Sequence, residues 1–289
     1  FAPVLSWAEP PQAPVDDLWD RVSSQMNLQI PDNKRIRAER DWYQSNPKYM
    51  KRVTARAEPY LYFVVGELER RGMPLELALL PIMESAYDPF AYSHGRAAGL
   101  WQIIPGTAGD LGLEQNWWYD ARRDVRASTL AALDYLQQLN RAFDGDWLKT
   151  LAAYNGGQRR VRNAVSYNRK RNRETDFWAL KLPTETQNYV PRFLALAEVV
   201  AHPDRYGLTL TPIENGPHFV AVNTFGQLDL SQAAELSGLD IDSIYKLNPG
   251  FSRWATDPTG PHELVLPLEH EGQFNRALGN LDPNQRVQW

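Results

Sequence analysis

A chain of 289 residues with 43% hydrophobic residues is longer than most single small domains and can fill a sizeable core, so two domains are expected. Its formal charge of −4 gives no global reason for nucleic acid or an anionic membrane as partner. There is no cysteine, hence no disulfide or thiolate metal site, and the five histidines are scattered without ligand spacing, so no metal or other cofactor is expected.

No apolar run reaches the ~18 residues a membrane span needs, and Phe1 is not followed by a charged and then an apolar leader region, so neither a transmembrane segment nor a signal peptide is expected here. Residues 1–14 carry four prolines and no helical period, which predicts an extended lead-in. Asp16 to Met26 and Asn33 to Gln44 predict short amphipathic helices, with Pro31 and Pro47 as breaks. Val53, Ala57, Leu61, Val64 and Leu68 recur at steps of three and four, predicting one scaffold helix through Glu69 that ends at Gly72.

Pro81 to Ala108, PIMESAYDPFAYSHGRAAGLWQIIPGTA, is the stretch most suited to chemistry. Leu75, Ala78, Leu79 and Ile82 put Glu84 on the last turn of a largely buried helix opened by Pro74. A carboxyl in such a place is partly dry, which raises its pKa toward that of a general acid working near neutral pH. A helix-end carboxylate in a salt bridge reads equally well from this residue alone. Asp88-Pro89 is expected to end the helix, since the residue before proline avoids the α region. The small residues Ser93, Gly95, Ala97, Ala98 and Gly99 that follow let a bulky ligand approach the backbone.

Farther on, a helix is predicted from about Asp124 to Phe143, with Leu130, Leu133, Leu136 and Leu139 at core spacing. Asp146 caps another from Trp147 through Tyr154, stopped by Asn155-Gly156-Gly157. Arg159, Arg160, Arg162, Arg169, Lys170, Arg171 and Arg173 follow with no acid before Glu174, which reads as a solvated face or as a contact for carboxylates. Pro183 and Thr184 open a helix with Tyr189, Phe193 and Val200 on one face, and residues 207–217 are the best linker. Phe219 to Val222 alternates like a strand, Leu230 to Ser237 and Asp240 to Leu247 predict helices, and Glu263 to Leu266 predicts a returning strand. One short helix and a tail are expected in 269–289.

Glu84-Ser85, Asp88-Pro89, Ser93, Gly99-Leu100-Trp101-Gln102 and Pro105-x-Thr107-Ala108, in that order and spacing, resemble the catalytic core of the lytic transglycosylases, which have a goose-type-lysozyme-like fold. The likeness continues through Asp120-x-Arg122, Ala153-Tyr154-Asn155-Gly156-Gly157 and Tyr189, roughly residues 50–205, and the wording of Ala91 to Gln102 is most like the membrane-bound murein transglycosylase D type. The strand-helix-helix-strand unit, with Leu247-Asn248-Pro249 and its closing Leu-Val-Leu-Pro, looks like a LysM module in which the usual Gly-Asp-Thr-Leu turn is replaced by Thr224-Phe-Gly-Gln-Leu-Asp-Leu. The expected fold class is mainly α: a lysozyme-like helical domain followed by a small α+β module. The expected division is 1–48 for an N-terminal extension with wrapping helices, 49–207 for the lysozyme-like unit, 217–268 for the LysM-like module and 269–289 for a tail. The two units should fold separately.

The resemblance implies cleavage of the β-1,4 bond between N-acetylmuramic acid and N-acetylglucosamine in peptidoglycan. Glu84 would act as acid and then base, aided at C1 by the substrate's N-acetyl group, and leave 1,6-anhydro ends. It further implies that Ser85 and Tyr189 hold Glu84, that Ser93, Gln102, Tyr154 and Asn155 bind the glycan, and that the partner is a peptidoglycan glycan strand. Relatives are exported and often lipid-anchored upstream, so a periplasmic, outer-membrane-associated place is expected. Asp88, the nearest other carboxylate, reads as a turn residue and leaves a single carboxylate for the site. A muramidase-like hydrolase and a non-catalytic wall-binding protein are the alternatives.

Overall fold

The computed structural model describes residues 16–286, so the lead-in expected over 1–14 lies outside the described residues. Helices α1 (Leu18–Ser24), α2 (Lys34–Ser45), α3 (Pro47–Ala57), α4 (Leu61–Arg70), α5 (Leu80–Ser85), α6 (Pro105–Asp110), α7 (Val125–Ala142), α8 (Trp147–Gly156), α9 (Gln158–Arg169) and α10 (Thr184–Ala201) build the first unit. Their starts are encoded locally. Asp17, Asn33, Asp124 and Asp146 each accept a hydrogen bond from a backbone N–H two or three residues on, which satisfies donors that a helix start leaves open.

The spine is α10. Val190, Phe193, Leu194, Leu196, Val199 and Val200 are buried, and α2, α8, α1 and the 3₁₀ segment Leu75–Leu79 pack around it. The single scaffold helix expected from Val53 to Glu69 is in fact α3 and α4. Pro59 lacks an N–H and its ring conflicts with a carbonyl one turn earlier, so the chain turns through 58–60 and restarts at Leu61. The apolar steps survive the break because both helices bury the same side.

Arg122 fixes the loop between α5 and α7. It is 5% exposed, and its guanidinium forks onto Asp120, with Nε 2.9 Å from Oδ1 and Nη2 2.7 Å from Oδ2. Its remaining nitrogen, Nη1, donates to the carbonyl of Arg96 at 2.6 Å and lies 3.4 Å from that of Ile103. Gly99 passes so close that a Cβ there would sit 1.9 Å from the carbonyl oxygen of Arg122, and only glycine fits.

The second unit is β1 (Phe219–Asn223), α11 (Leu230–Ser237), α12 (Ile241–Leu247), β2 (Glu263–Pro267) and α13 (Glu271–Gly279), with β1 and β2 antiparallel from Phe219 opposite Pro267 to Asn223 opposite Glu263. The short helix expected after residue 269 is α13, and it packs on α11 and β1 as part of this unit. Residues 207–217 are not a free spacer. Leu208 and Ile213 are buried, Trp19 Nε1 donates to the Thr211 carbonyl, and Leu18 N–H to that of Ile213.

The two units also share a seam. Asp120 N–H donates to the Gly250 carbonyl and Ser252 N–H to that of Trp118, while Trp118 lies edge-on to Trp254 and Tyr119 tilts against Phe251. The triplet Trp117-Trp118-Tyr119 therefore serves the seam. Two outcomes are expected. Arg122→Ala, which removes a buried guanidinium and strands the half-buried Asp120 carboxylate, should lower stability by about 3–5 kcal/mol in urea unfolding. A chain ending at residue 210 should melt at a lower temperature than the full chain in calorimetry, because it uncovers Trp118 and Tyr119.

Candidate functional site

A cleft of about 480 Å3 opens between the loop 93–104, α6, the C-terminal end of α8 and the first turn of α10. Of the residues expected to act, Glu84, Ser93, Gln102, Tyr154 and Asn155 line it. Ser85 and Tyr189 stand behind it. A mainly apolar hollow of similar size at the seam, bordered by Tyr60, Pro89, Phe90 and Leu247, holds none of them.

Glu84 projects from the last turn of α5, which ends two residues sooner than Asp88-Pro89 would require. Ala86 and Tyr87 both take left-handed backbone angles, φ 53° and 55°. Each such non-glycine residue costs on the order of 1 kcal/mol or more and persists only where its surroundings hold it. Here the buried Tyr87 hydroxyl donates to the Ala78 carbonyl at 2.7 Å. Asp88 accepts from the N–H of Phe90 and stays out of the cleft, as a turn residue.

Burial is the first cause that pushes the Glu84 carboxyl up to about 7, and the nearby charge of Glu185 adds to it. Opposing both, the Tyr189 hydroxyl donates to Glu84 Oε1 at 2.5 Å and favours the carboxylate. Tyr154 donates to the Trp101 carbonyl at 2.8 Å, and its own pKa is raised well above 10 by burial and by Glu84, so it stays a neutral hydroxyl.

The supporting roles differ in part from expectation. The Ser85 hydroxyl donates to backbone carbonyls and not to the Glu84 carboxylate: it lies 2.9 Å from the Leu100 carbonyl and 3.1 Å from that of Pro81, which ties α5 to the loop. Gln102 spends its amide N–H groups on the carbonyls of Gly99, at 2.9 Å, and Ala91, which leaves its Oε1 as the group to meet a ligand. Ser93 Oγ accepts from the N–H of Ala97 at 3.0 Å and keeps its own hydrogen to donate. Asn155 is held at both ends of its amide, with Oδ1 accepting from Thr186 Oγ1 at 2.8 Å and Nδ2 donating to Glu185. This close approach needs Gly156, where a Cβ would sit 2.6 Å from Thr186 Oγ1.

Glu185 corrects the expectation of a lone carboxylate, since it lines the same cleft as Glu84. In the sequence it stands at a helix start, where an acid is ordinary, so nothing local marks it. Thr107, from the Pro105-x-Thr107-Ala108 motif, lines the wall too, with Ile104 and Tyr135, whose places nothing in their local sequence marks. Among the described residues no group of three or more His, Cys, Asp or Glu is placed to hold a metal ion. The arrangement presents two carboxyls, of which Glu84 is raised to about 7, and several neutral hydrogen-bonding groups to a polar ligand.

The family model described as "Transglycosylase SLT domain" matches residues 62–177, and that described as "Lytic transglycosylase MltD, LysM-like domain" matches residues 218–282. The chain carries an SLT domain followed by an MltD-type LysM-like domain. Membrane-bound lytic murein transglycosylase D of Escherichia coli (strain K12) is 42% identical over 268 residues, which is 93% of this chain and 59% of that protein. A putative tributyltin chloride resistance protein of Alteromonas sp. (strain M-1) is 48% identical over 122 residues, 41% of this chain and 59% of that protein. Among solved structures, an inactive mutant of the lytic transglycosylase Slt from Pseudomonas aeruginosa aligns with a TM-score of 0.40 and 25% identity over 52% of this chain and 25% of that one. The chain thus spans 59% of the length of the first curated relative named.

The match to the SLT domain takes in Glu84, Ser93, Gln102, Tyr154 and Asn155 and stops short of Glu185 and Tyr189 on α10. The LysM-like domain takes in α13, beyond the boundary of 268 expected from the sequence.

Because Glu84 holds its proton in the folded chain up to about 7 against an ordinary 4.5, the folded state binds more protons than the unfolded one between those values. The stability this gives is full below 4.5 and lost as pH rises through about 7. Glu84→Gln cannot ionise. It should be more stable than the parent above about pH 7 and level with it below 4.5, as read from urea midpoints across the range.

Proposed function

We propose that the chain cleaves the β-1,4 bond between N-acetylmuramic acid and N-acetylglucosamine in peptidoglycan as a lytic transglycosylase. The observation that carries this reading is the cleft-lining Glu84, raised to about 7 by burial and so able to donate a proton near neutrality. Glu84 gives its proton to the glycosidic oxygen as the bond to C1 breaks. The substrate's own N-acetyl group stabilises the positive charge at C1. Glu84, now a carboxylate, then takes the proton of the C6 hydroxyl of the same muramic acid, whose oxygen bonds to C1 and closes the 1,6-anhydro ring. Tyr189 steadies the carboxylate between the two steps, and Ser93, Gln102, Tyr154 and Asn155 hold the sugars. Ser85 positions Glu84 through the loop.

In this reading residues 49–207 form the catalytic unit, the helices before it wrap it, and the LysM-like unit begins near 217 and includes α13. The proposed partner is a peptidoglycan glycan strand, with no cofactor. The name of the relative from Escherichia coli suggests a place at the membrane, so we assign the protein to the cell envelope, in the periplasm beside the outer membrane. No described helix is long and apolar enough to cross a membrane.

One observation favours a second reading. Glu185 gives the cleft another carboxylate, and a hydrolase of the muramidase kind would use it to activate water. Against this, Glu185 is exposed and engaged by Asn155, whereas a C6 hydroxyl on the reacting sugar gains an effective molarity of about 10⁵ M or more when well aligned. Digestion of peptidoglycan followed by mass spectrometry separates the two. New ends should be lighter than reducing ends by one water and resist borohydride, and Glu84→Gln should form them at least about 10²-fold more slowly. Ends that are reducible and take up heavy oxygen from labelled water would replace the transglycosylase with a hydrolase.

A further inference from the structure

The basic run that the sequence left open is divided by the structure. Arg169, Lys170, Arg171 and Arg173 sit at the far end of α9, where Arg171 lies 3.6 Å over the Tyr167 ring. Arg159 and Arg160 sit at the near end. With Gln158 and Asn163 they border a concavity of about 480 Å3, and two of its lining residues, Gly156 and Gly157, also line the catalytic cleft. The two spaces are therefore neighbours on one surface.

Three features mark this concavity as a place for anions. Its lining holds no acid. Neither arginine pairs with a carboxylate among the described residues, although ten other ion pairs are formed. Arg160 is also anchored, with Nη1 donating to the Gly156 carbonyl at 2.9 Å, so its guanidinium is held against the turn that carries Asn155. All this stands in a chain whose net charge is −4.

We propose that Arg159 and Arg160 form a carboxylate-binding subsite beside the cleft, which takes acidic groups borne by the glycan strand while its backbone is being cut. The inference rests on the glycan reading above, and it adds that the enzyme reads what is attached to the sugars. The muramic acid side chain supplies such groups in two forms, the carboxylates of an attached peptide or, once the peptide is removed, the lactyl carboxylate itself. Arginine suits either, since its planar fork matches a carboxylate.

The test compares the full chain with an Arg159→Gln/Arg160→Gln double variant on three substrates: peptide-bearing strands, strands stripped of peptide, and stripped strands whose carboxyls are blocked as methylamides. The variant should raise KM about three- to tenfold on carboxylate-bearing strands, leave kcat unchanged, and match the parent on blocked strands. The double Arg→Lys variant should recover part of the loss. The parent's own advantage on carboxylate-bearing strands should shrink with salt, because the arginines are exposed. A rise confined to peptide-bearing strands assigns the subsite to the peptide, and one that persists on stripped strands assigns it to the lactyl group. Equal KM changes on all three substrates, or none on any, would overturn the subsite. A parent that cuts none of them would instead sink the function proposed above.

Discussion

The cleft depends on one buried guanidinium. Of the groups its charge contacts only the Ile103 carbonyl belongs to the cleft lining, yet Arg122 meets the carbonyls of Arg96 and Ile103 on either side of Gly99-Leu100-Trp101-Gln102, and with Asp120 it anchors them to the segment that enters α7. A buried charge of this kind is costly unless every donor finds an acceptor, and the fork geometry of arginine lets one side chain meet Asp120 and a loop carbonyl together. Trp101, fully buried with Nε1 donating to Thr129, secures the same loop from the other side. Between these anchors the backbone accepts positive φ at Arg96 and Gln102, conformations that free loops of these residues avoid.

Glu84 shows the opposite economy. Its surroundings destabilise the ionised form, and the chain tolerates this because the large core around α10 lies beneath it. Tyr189 comes from that spine, and so does Glu185 one turn earlier, so a single rigid helix delivers both the group that favours the carboxylate and the charge that opposes it. The balance between them is set by helical spacing, and a helix alters it less readily than a loop would.

What the sequence revealed was whatever is encoded over a few residues. The cap at Asp146, the helix start near Asp124 and the place of Glu84 on the last turn of a helix were legible from spacing and side-chain type. Pro59 was legible too, but an unbroken apolar period outweighed it, because two helices that bury one common face keep that period across a turn. Glu185 and the contacts of Ser85 were not legible. Both are settled by which elements meet in space, and an acid in a first helical turn or a serine in a last one looks ordinary in isolation. The same holds for the seam, where Gly250 and Ser252 offer backbone groups that no side-chain pattern announces.

The seam has an optical consequence. Trp117, Trp118 and Trp254 bring three indole rings within 4.6 to 5.9 Å of one another, nearly perpendicular in two of the three pairs, with rings drawn from both units. Transition dipoles held that close and at fixed angles couple, so the pairs contribute a signed exciton band to the circular dichroism that separate indoles lack. Arg253, 4.1 Å above the Trp117 ring, places a charge against the same chromophore. The protein thus carries a built-in spectroscopic gauge of whether its two units remain docked, readable without any label.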